Sequence, residues 1–504
     1  MVNFFAQFHK TLQWCLSIEI FKILKSKLTE IETNHSEFQI TMLPDEILMK
    51  IFSYIPTDEI LLNVSPVCKK FYRLSLDSKL IQHLTLGENI NDTNYENIYE
   101  VLNRAKFLTE LSIKEQSDVI FLNNVIRKIT EFCPNLSRLK IVDCVISSDC
   151  FNDFIPKLKE LKSLKFDDNY LAENETIGNY DISLLGKCEK LQDITLDGFR
   201  RLRKDKKDSF EIEGLNETGG FIKFLKQMKN TLKCFRMPNE YVLEDDFCKT
   251  IIESNLDGAL EELEIFGGEN CYDDEGREWQ ISETISKLKK IKILGLNYFY
   301  HFSPEMIISM FVDSKLEHLI ELEFFEVRNI TDEVLKTVAS NCSKLESFKL
   351  TQIESESFIG ITNEGLLVVT KHCKNLRKFT LSLNDLNCQD KYKISDDFLY
   401  EMAENCQKLE YLNLMSQSFV TEKAMVHLIK NCIALETLLL LYIYDFSDHF
   451  LFKIRKHLPK LRYLGIHVYH CQNITKSGVK RLKRNKNIKL LTCEDMLTDI
   501  LEQN

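Results

Sequence analysis

Residues 319–350 read LIELEFFEVRNITDEVLKTVASNCSKLESFKL. Leu319, Leu322 and Phe324 follow the spacing L-x-x-L-x-L, and Leu345, Phe348 and Leu350 repeat it. Alternate residues of a strand face opposite sides, so the last two apolar side chains of each triplet share one face. Between the triplets stands Ile330-Thr331-Asp332, a hydroxyl residue followed by an acid, which signals a helix start. Cys342 precedes Leu345 by three residues, a place where a small apolar side chain serves burial. The unit reads strand, turn, helix, return.

The same triplet extends in both directions. Toward the C-terminus it recurs at Leu376-Phe379-Leu381, Leu409-Leu412-Leu414, Leu435-Leu438-Leu440, Leu461-Leu464-Ile466 and Ile488-Leu491-Cys493. Toward the N-terminus it recurs from Ile291-Leu294-Leu296 back to Ile81-Leu84-Leu86. Cys133, Cys188, Cys373, Cys406 and Cys432 repeat the position of Cys342. Ile361-Thr362-Asn363, Ile394-Ser395-Asp396, Val420-Thr421-Glu422 and Ile474-Thr475 repeat the helix-start signal. Over about residues 316–480 this pattern resembles the cysteine-containing subclass of leucine-rich repeats, whereas residues 87–315 match in the leucines alone. The resemblance implies an α/β fold, a curved solenoid with parallel strands on the concave face and helices on the convex face. One such unit cannot bury enough surface to stand alone, so its stability comes from stacking on its neighbours.

Ahead of the repeats lies MLPDEILMKIFSYIPTDEILLNVSPVCKKFYRLSLDSKLIQHLTL, residues 42–86. Proline suits a helix start, and Asp45 and Glu46 complement the positive end of its dipole. Leu43, Ile47 and Ile51 recur every fourth residue, as do Leu48 and Phe52, which makes one apolar face. Thr57 is placed to cap a second helix and Ser65-Pro66 to open a third. Three short helices make a core too small for all that apolar surface, so a partner is expected. The run resembles an F-box in Leu43, Pro44, Glu46, Ile47, Leu48, Ile51, Phe52, Pro56, Leu61, Val67, Cys68 and Lys69, and departs from that pattern at Phe71, Ser78 and Ile81. The resemblance implies docking on the Skp adaptor of an SCF-type cullin–RING ubiquitin ligase. The expected adaptor face is Leu43, Pro44, Ile47, Leu48, Ile51, Phe52, Leu61 and Val67. The alternative is a non-catalytic scaffold whose F-box packs internally and recruits no ligase.

Three segments follow: an N-terminal amphipathic helical segment (residues 1–40), the F-box (41–80) and the repeat solenoid with a C-terminal cap (81–504). Only 16 glycines and 8 prolines occur in 504 residues, so one long regular body is expected rather than domains on linkers. The net charge of −11 argues against a general nucleic-acid binder. No apolar run approaches the roughly 18 residues of a membrane span. The 16 cysteines contain no Cys-x-x-Cys pair and suit a reducing compartment, cytoplasm or nucleus. A target protein, with cullin and RING subunits reached through the adaptor, completes the expected partners. The chain itself is expected to be a monomer within that hetero-complex.

Strand positions between the leucines point to the concave face. Tyr411, Met415, Leu439, Leu441, Tyr463 and His467 gather there, with Tyr442, Tyr444 and Tyr469 in adjoining loops. Clustered exposed apolar side chains mark a binding surface, so this patch is the expected target site. The alternative is that the C-terminal tail closes over it. Arg200 to Lys207, within a long insertion, reads as a solvated loop or an import signal. Asp273-Asp274-Glu275 with Trp279 reads as a loop. His467, His470 and Cys471 lack a fourth ligand at zinc spacing, so no metal and no cofactor is expected. The sequence contains no Gly-x-Ser-x-Gly, phosphate-cradling loop or His-Glu-x-x-His, and no enzymatic activity is expected.

Overall fold

The computed structural model describes residues 41–87 (without 42, 56, 58–59, 61–63 and 78–79) and 99–171 (without 100–101, 104 and 168). It further describes 180–237 (without 197–198, 203–209, 212–219 and 229–230) and 250–267 (without 252–253 and 255–257). The remainder comprises 275–312, 316–352, 360–383, 395–415, 420–441, 446–466 and 471–491 (without 472 and 484–487). The segment 1–40, Leu61, His467 and residues 492–504 lie outside these. The chain divides into two compact units, Met1–Cys144 and Val145–Asn504, so the first repeats group with the F-box rather than with the later repeats.

In the first unit, α1 (Asp45–Phe52) follows Pro44 and α2 (Lys69–Ser75) follows a 3-10 turn at Ser65–Val67. Cys68, not Ser65, caps α2: its Sγ accepts from the Phe71 amide at 3.4 Å. The Thr57 hydroxyl donates to the Leu80 carbonyl at 3.0 Å, and the helix it was expected to cap falls largely outside the described residues. Three parallel strands follow, β1 (His83–Leu86), β2 (Glu110–Gln116) and β3 (Arg138–Ile146), with α3 (Val119–Phe132) between the last two.

The second unit opens with α4 (Ser148–Phe154), β4 (Ser163–Asp167), β5 (Asn169–Leu171), β6 (Asp193–Leu196), β7 (Phe199–Leu202) and β8 (Phe210–Glu211). It continues with α5 (Gly220–Gln227), β9 (Cys234–Arg236), β10 (Glu262–Phe266), α6 (Glu275–Ser286), β11 (Ile293–Asn297) and α7 (Pro304–Phe311). From β12 (Glu321–Phe325) strand and helix alternate strictly. The order is α8 (Asp332–Asn341), β13 (Ser347–Gln352), α9 (Asn363–His372), β14 (Lys378–Leu383), α10 (Asp396–Asn405) and β15 (Tyr411–Met415). The last elements are α11 (Glu422–Asn431), β16 (Thr437–Leu441), α12 (Asp448–His457), β17 (Tyr463–Ile466), α13 (Lys476–Lys483) and β18 (Lys489–Leu491).

Strands β4, β6 and β9 to β18 pair in that order, all parallel, as the α/β repeat reading requires. The triplet leucines set the register. Leu322, Phe348, Phe379, Leu412, Leu438 and Leu464 stand side by side across six strands, all buried. Their alignment places each apolar row of one repeat against the next, which is what makes stacking favourable. Leu490, not Leu491, continues this row, so the last triplet is shifted by one residue. Two loop expectations change as well. Arg200 and Arg201 lie in β7, which pairs antiparallel with β8, and Trp279 lies in α6.

Two repeated contacts explain the motif residues. The cysteines cap the helix ends: Cys342, Cys373, Cys406 and Cys432 follow α8 to α11 directly and are buried. Each thiol points at a carbonyl of the preceding repeat, as Cys406 does toward Thr370 at 3.7 Å and Cys432 toward Cys406 at 3.5 Å. The second contact staples helix starts. The Thr362 amide and hydroxyl donate to the Asp332 carboxylate at 2.8 and 2.6 Å. Thr421 does the same to Asp396, Ser447 to Glu422 and Thr475 to Asp448. One residue caps its own helix, and the acid after it holds the cap of the next. Gly365 is required by this contact, since a Cβ there would stand 2.4 Å from Asp332 Oδ1.

Candidate functional site

The F-box region is built around an edge-to-face pair, Phe52 against Phe71, with centroids 5.1 Å apart. Leu48 and Ile51 join that core, and Leu43 is also buried. The start of α1 is tied to α2 by Lys70, which donates to the Leu43 carbonyl at 2.6 Å and pairs with Asp45 at 3.3 Å. Arg73 pairs with the same carboxylate. The expected adaptor face is therefore divided. Leu43, Leu48, Ile51 and Phe52 face inward, because a helix that must carry a core spends most of its apolar stripe on it. Pro44 is exposed, Ile47 is half-buried and Val67 is 45% exposed.

Two aromatic side chains that sequence reasoning missed also reach the surface beside the F-box helices α1 and α2. Tyr72 is 42% exposed, one position beyond the inward Phe71. Tyr54, 47% exposed, lies just past α1 with the Lys50 ammonium 5.1 Å from its ring centroid. The available signal was their place off the Phe71–Leu74 and Leu48–Phe52 stripes. Tyrosine presents a large apolar body with a polar tip, the kind of side chain that anchors interfaces.

In the second unit, the sheet positions between the leucines line up as rows. One row runs Arg236, Glu264, Gly295, Glu323, Lys349 and on through Thr380 and Asn413 to Leu439. In its first half two carboxylates, Glu264 and Glu323, flank Gly295 with a cation at each end. Arg236 bridges Asp193 at 3.0 Å and Glu262, and Lys349 pairs with Glu323 at 3.0 Å. Gly295 leaves the space that the Glu264 side chain fills. Burial pushes the Glu264 and Glu323 carboxyls above the usual carboxylate range; Asn297 donating to Glu264 at 3.2 Å and Lys349 beside Glu323 oppose it. The second half is apolar or neutral.

The expected target patch does not survive as one wet surface. Leu439 and Leu441 are fully buried and Met415 is nearly so, with the Ser382 hydroxyl 2.9 Å from its sulfur. Tyr411 is half-buried and Tyr463 is 42% exposed; they stand with Thr437 in one row flanked by Lys378 and Lys489. Strand alternation assigns a side of the sheet, but whether water reaches it depends on what crosses that side, which periodicity does not encode. His467, Tyr442, Tyr444 and Tyr469 lie outside the described residues. Cys471 is buried, and among the described residues no three His, Cys, Asp or Glu side chains lie close enough to hold a metal ion. No described helix is long and apolar enough to cross a membrane.

Residues 40–87 match the F-box-like family, a span that takes in β1 as well as the helices. Among solved structures, the chain is similar to one reported as the crystal structure of the Rad7 and Elc1 complex in yeast. The likeness covers 81% of this chain and 94% of that one, at 17% identity and a TM-score of 0.53, and is one of fold. The chain thus carries an F-box-like domain at residues 40–87 in front of an α/β repeat body.

Proposed function

We propose that the chain is the substrate-recognition subunit of an SCF-type ubiquitin ligase, delivering a target protein for ubiquitin-dependent degradation. The observation that carries this reading is the F-box-like domain at residues 40–87, whose own core leaves Pro44, Ile47 and Val67 at the surface. The domain docks on an adaptor of the Skp class and through it reaches cullin and RING subunits. The Rad7 likeness supports the reading because that protein was solved with a partner, Elc1. The repeats, read as the cysteine-containing leucine-rich subclass, hold the target. The chain contributes no bond-making step of its own: tethering raises the effective concentration of target lysines near the charged conjugating enzyme. A cytoplasmic or nuclear site of action follows from the partners.

The test is co-purification of the full chain with a Skp-type adaptor, and separately with an Elongin-type adaptor. The reading predicts a stable one-to-one complex with the Skp-type adaptor. It further predicts loss of that complex in a Pro44→Ala/Ile47→Asp/Val67→Asp variant whose circular dichroism is unchanged. A monomer that ignores the Skp-type adaptor would leave the internally packed scaffold as the better account.

A further inference from the structure

The chain is acidic overall, yet residues 449–493 contain no Asp or Glu and twelve Lys and Arg. The preceding repeats are the reverse: residues 396–448 hold nine acids against three lysines. Charge is therefore segregated, with a basic block of about two repeats following an acidic one.

The described residues show where these cations stand. On α12, Phe452 and Lys456 are exposed on the side opposite the buried Phe450, Leu451 and Ile454, and the half-buried Lys453 flanks them. On α13, Lys476, Lys480 and Arg481 are exposed. The two helices are neighbours, joined where Arg455 donates to the Arg481 carbonyl at 3.2 Å. Lys460 and Lys489 extend the surface beside them, each exposed. Among the described residues Lys453, Lys456, Lys460, Lys476, Lys480 and Lys489 have no carboxylate within ion-pair distance. Burial first, then Lys456, Lys430 and Lys453, push the His457 imidazole below the ordinary histidine range.

Phe452 adds a second feature, since it is 58% exposed in the middle of the block. An unpaired cationic surface around one exposed aromatic ring is complementary to an acidic segment that carries an apolar side chain. A long polyanion fits less well, because it would run from the basic block onto the acidic repeats beside it.

We infer that the outer faces of α12 and α13 bind a short acidic polypeptide segment, with Lys453, Lys456, Lys480 and Arg481 meeting its carboxylates and Phe452 its apolar residue. This surface is independent of adaptor docking, and either can fail without the other.

The test uses the purified full chain and a fluorescein-labelled twelve-residue peptide of Glu and Asp around one central Leu. Fluorescence anisotropy is read at low and moderate salt. The expected result is saturable binding that weakens with salt. A Gln/Asn version of the peptide should bind at least tenfold more weakly. Lys453→Glu/Lys456→Glu/Lys480→Glu should lose at least tenfold, and Phe452→Ala several-fold, with thermal melting unchanged for both variants. Equal binding of the neutral peptide, or no change in the triple variant, would overturn the assignment. So would tighter binding of a twelve-nucleotide oligo(dT), which would make the surface a nucleic-acid site. The acidic residues 494–504 are the other candidate occupant. A chain ending at Leu491 should bind the peptide with the same affinity, and a tenfold gain would assign the surface to that tail instead.

Discussion

The stretch from Asp332 to Lys483 and the stretch from Ser148 to Arg236 share one strand ladder but tie neighbouring repeats in different ways. In the later stretch, each helix from α9 to α13 begins on a Thr or Ser whose amide and hydroxyl are held by the preceding repeat, by an acid in four of the five cases. Ser395 is the exception, its amide held by Asn363 Oδ1 at 3.0 Å. In the earlier stretch, a 3-10 turn at Ile182–Lys187 stands where a full helix would, and another at Ile155–Lys157 extends the short α4. There Tyr180 donates to the Ile146 carbonyl and the ring of Phe151 packs against Phe154, Phe166 and Tyr180. The apolar ladder is thus the general device of the fold, and the staple to an acid belongs to the later stretch; the earlier one holds a cap through an amide, Asp181 donating to Asn152 Oδ1 at 2.8 Å.

That contrast can be broken at its common element first. Truncating a ladder residue in either stretch, Phe379→Ala or Phe235→Ala, is expected to cost about 3–5 kcal/mol by cavity formation. Both rings are fully buried. Denaturant melts should show similar losses, and a much smaller loss for Phe235 would mean that the earlier stretch does not share the load.

The staple should give a smaller effect, confined to the later stretch. Gly365→Ala forces a Cβ onto the Asp332 carboxylate and is expected to cost about 1–3 kcal/mol. Gly87→Ala, with nothing within 4 Å of the added Cβ, should change stability by less than about 1 kcal/mol. Asp332→Ala combined with Gly365→Ala should recover part of the loss, because the clash and the staple involve the same carboxylate.

The smallest effects are in pH dependence, and the two kinds of carboxylate should give opposite slopes. The Thr475 hydroxyl and amide hold Asp448 below the usual carboxylate range. Its contribution is complete above the unfolded pKa and is lost as pH falls through the folded one. Burial raises Glu264, so its ionisation opposes folding once pH exceeds the folded pKa, and that penalty vanishes below the unfolded one. Stability–pH curves should therefore show Asp448→Asn removing part of the acid-side loss, and Glu264→Gln raising stability near neutrality.

Much of this was legible from residues 319–350 outward. The triplet spacing set the strand order and register up to the final strand, where Leu490 rather than Leu491 joined the row. Thr331, Thr362, Ser395 and Thr421 were readable as caps because side-chain oxygens accept from amides two or three residues on. What those caps meet in the next repeat was not readable, because it depends on residues 25 to 32 positions away. Ser447 was missed as a cap although Asp448 follows it. Burial was the harder part of the candidate sites. Leu48 and Phe52 belong to the same stripe as the half-buried Ile47, and Leu439 alternates like the surface residue Tyr463, so periodicity could not separate core from contact surface. Charge segregation after Asp448 was present in the sequence, but it gains meaning only once α12 and α13 are neighbours.

The most direct measurement is the mass of the complex formed by the full chain and a Skp-type adaptor, read by light scattering on the eluted peak. The account predicts one chain and one adaptor in the wild type, and separate peaks for the Pro44→Ala/Ile47→Asp/Val67→Asp variant. A wild-type chain that elutes alone beside unbound adaptor, at micromolar concentrations of both, would contradict it.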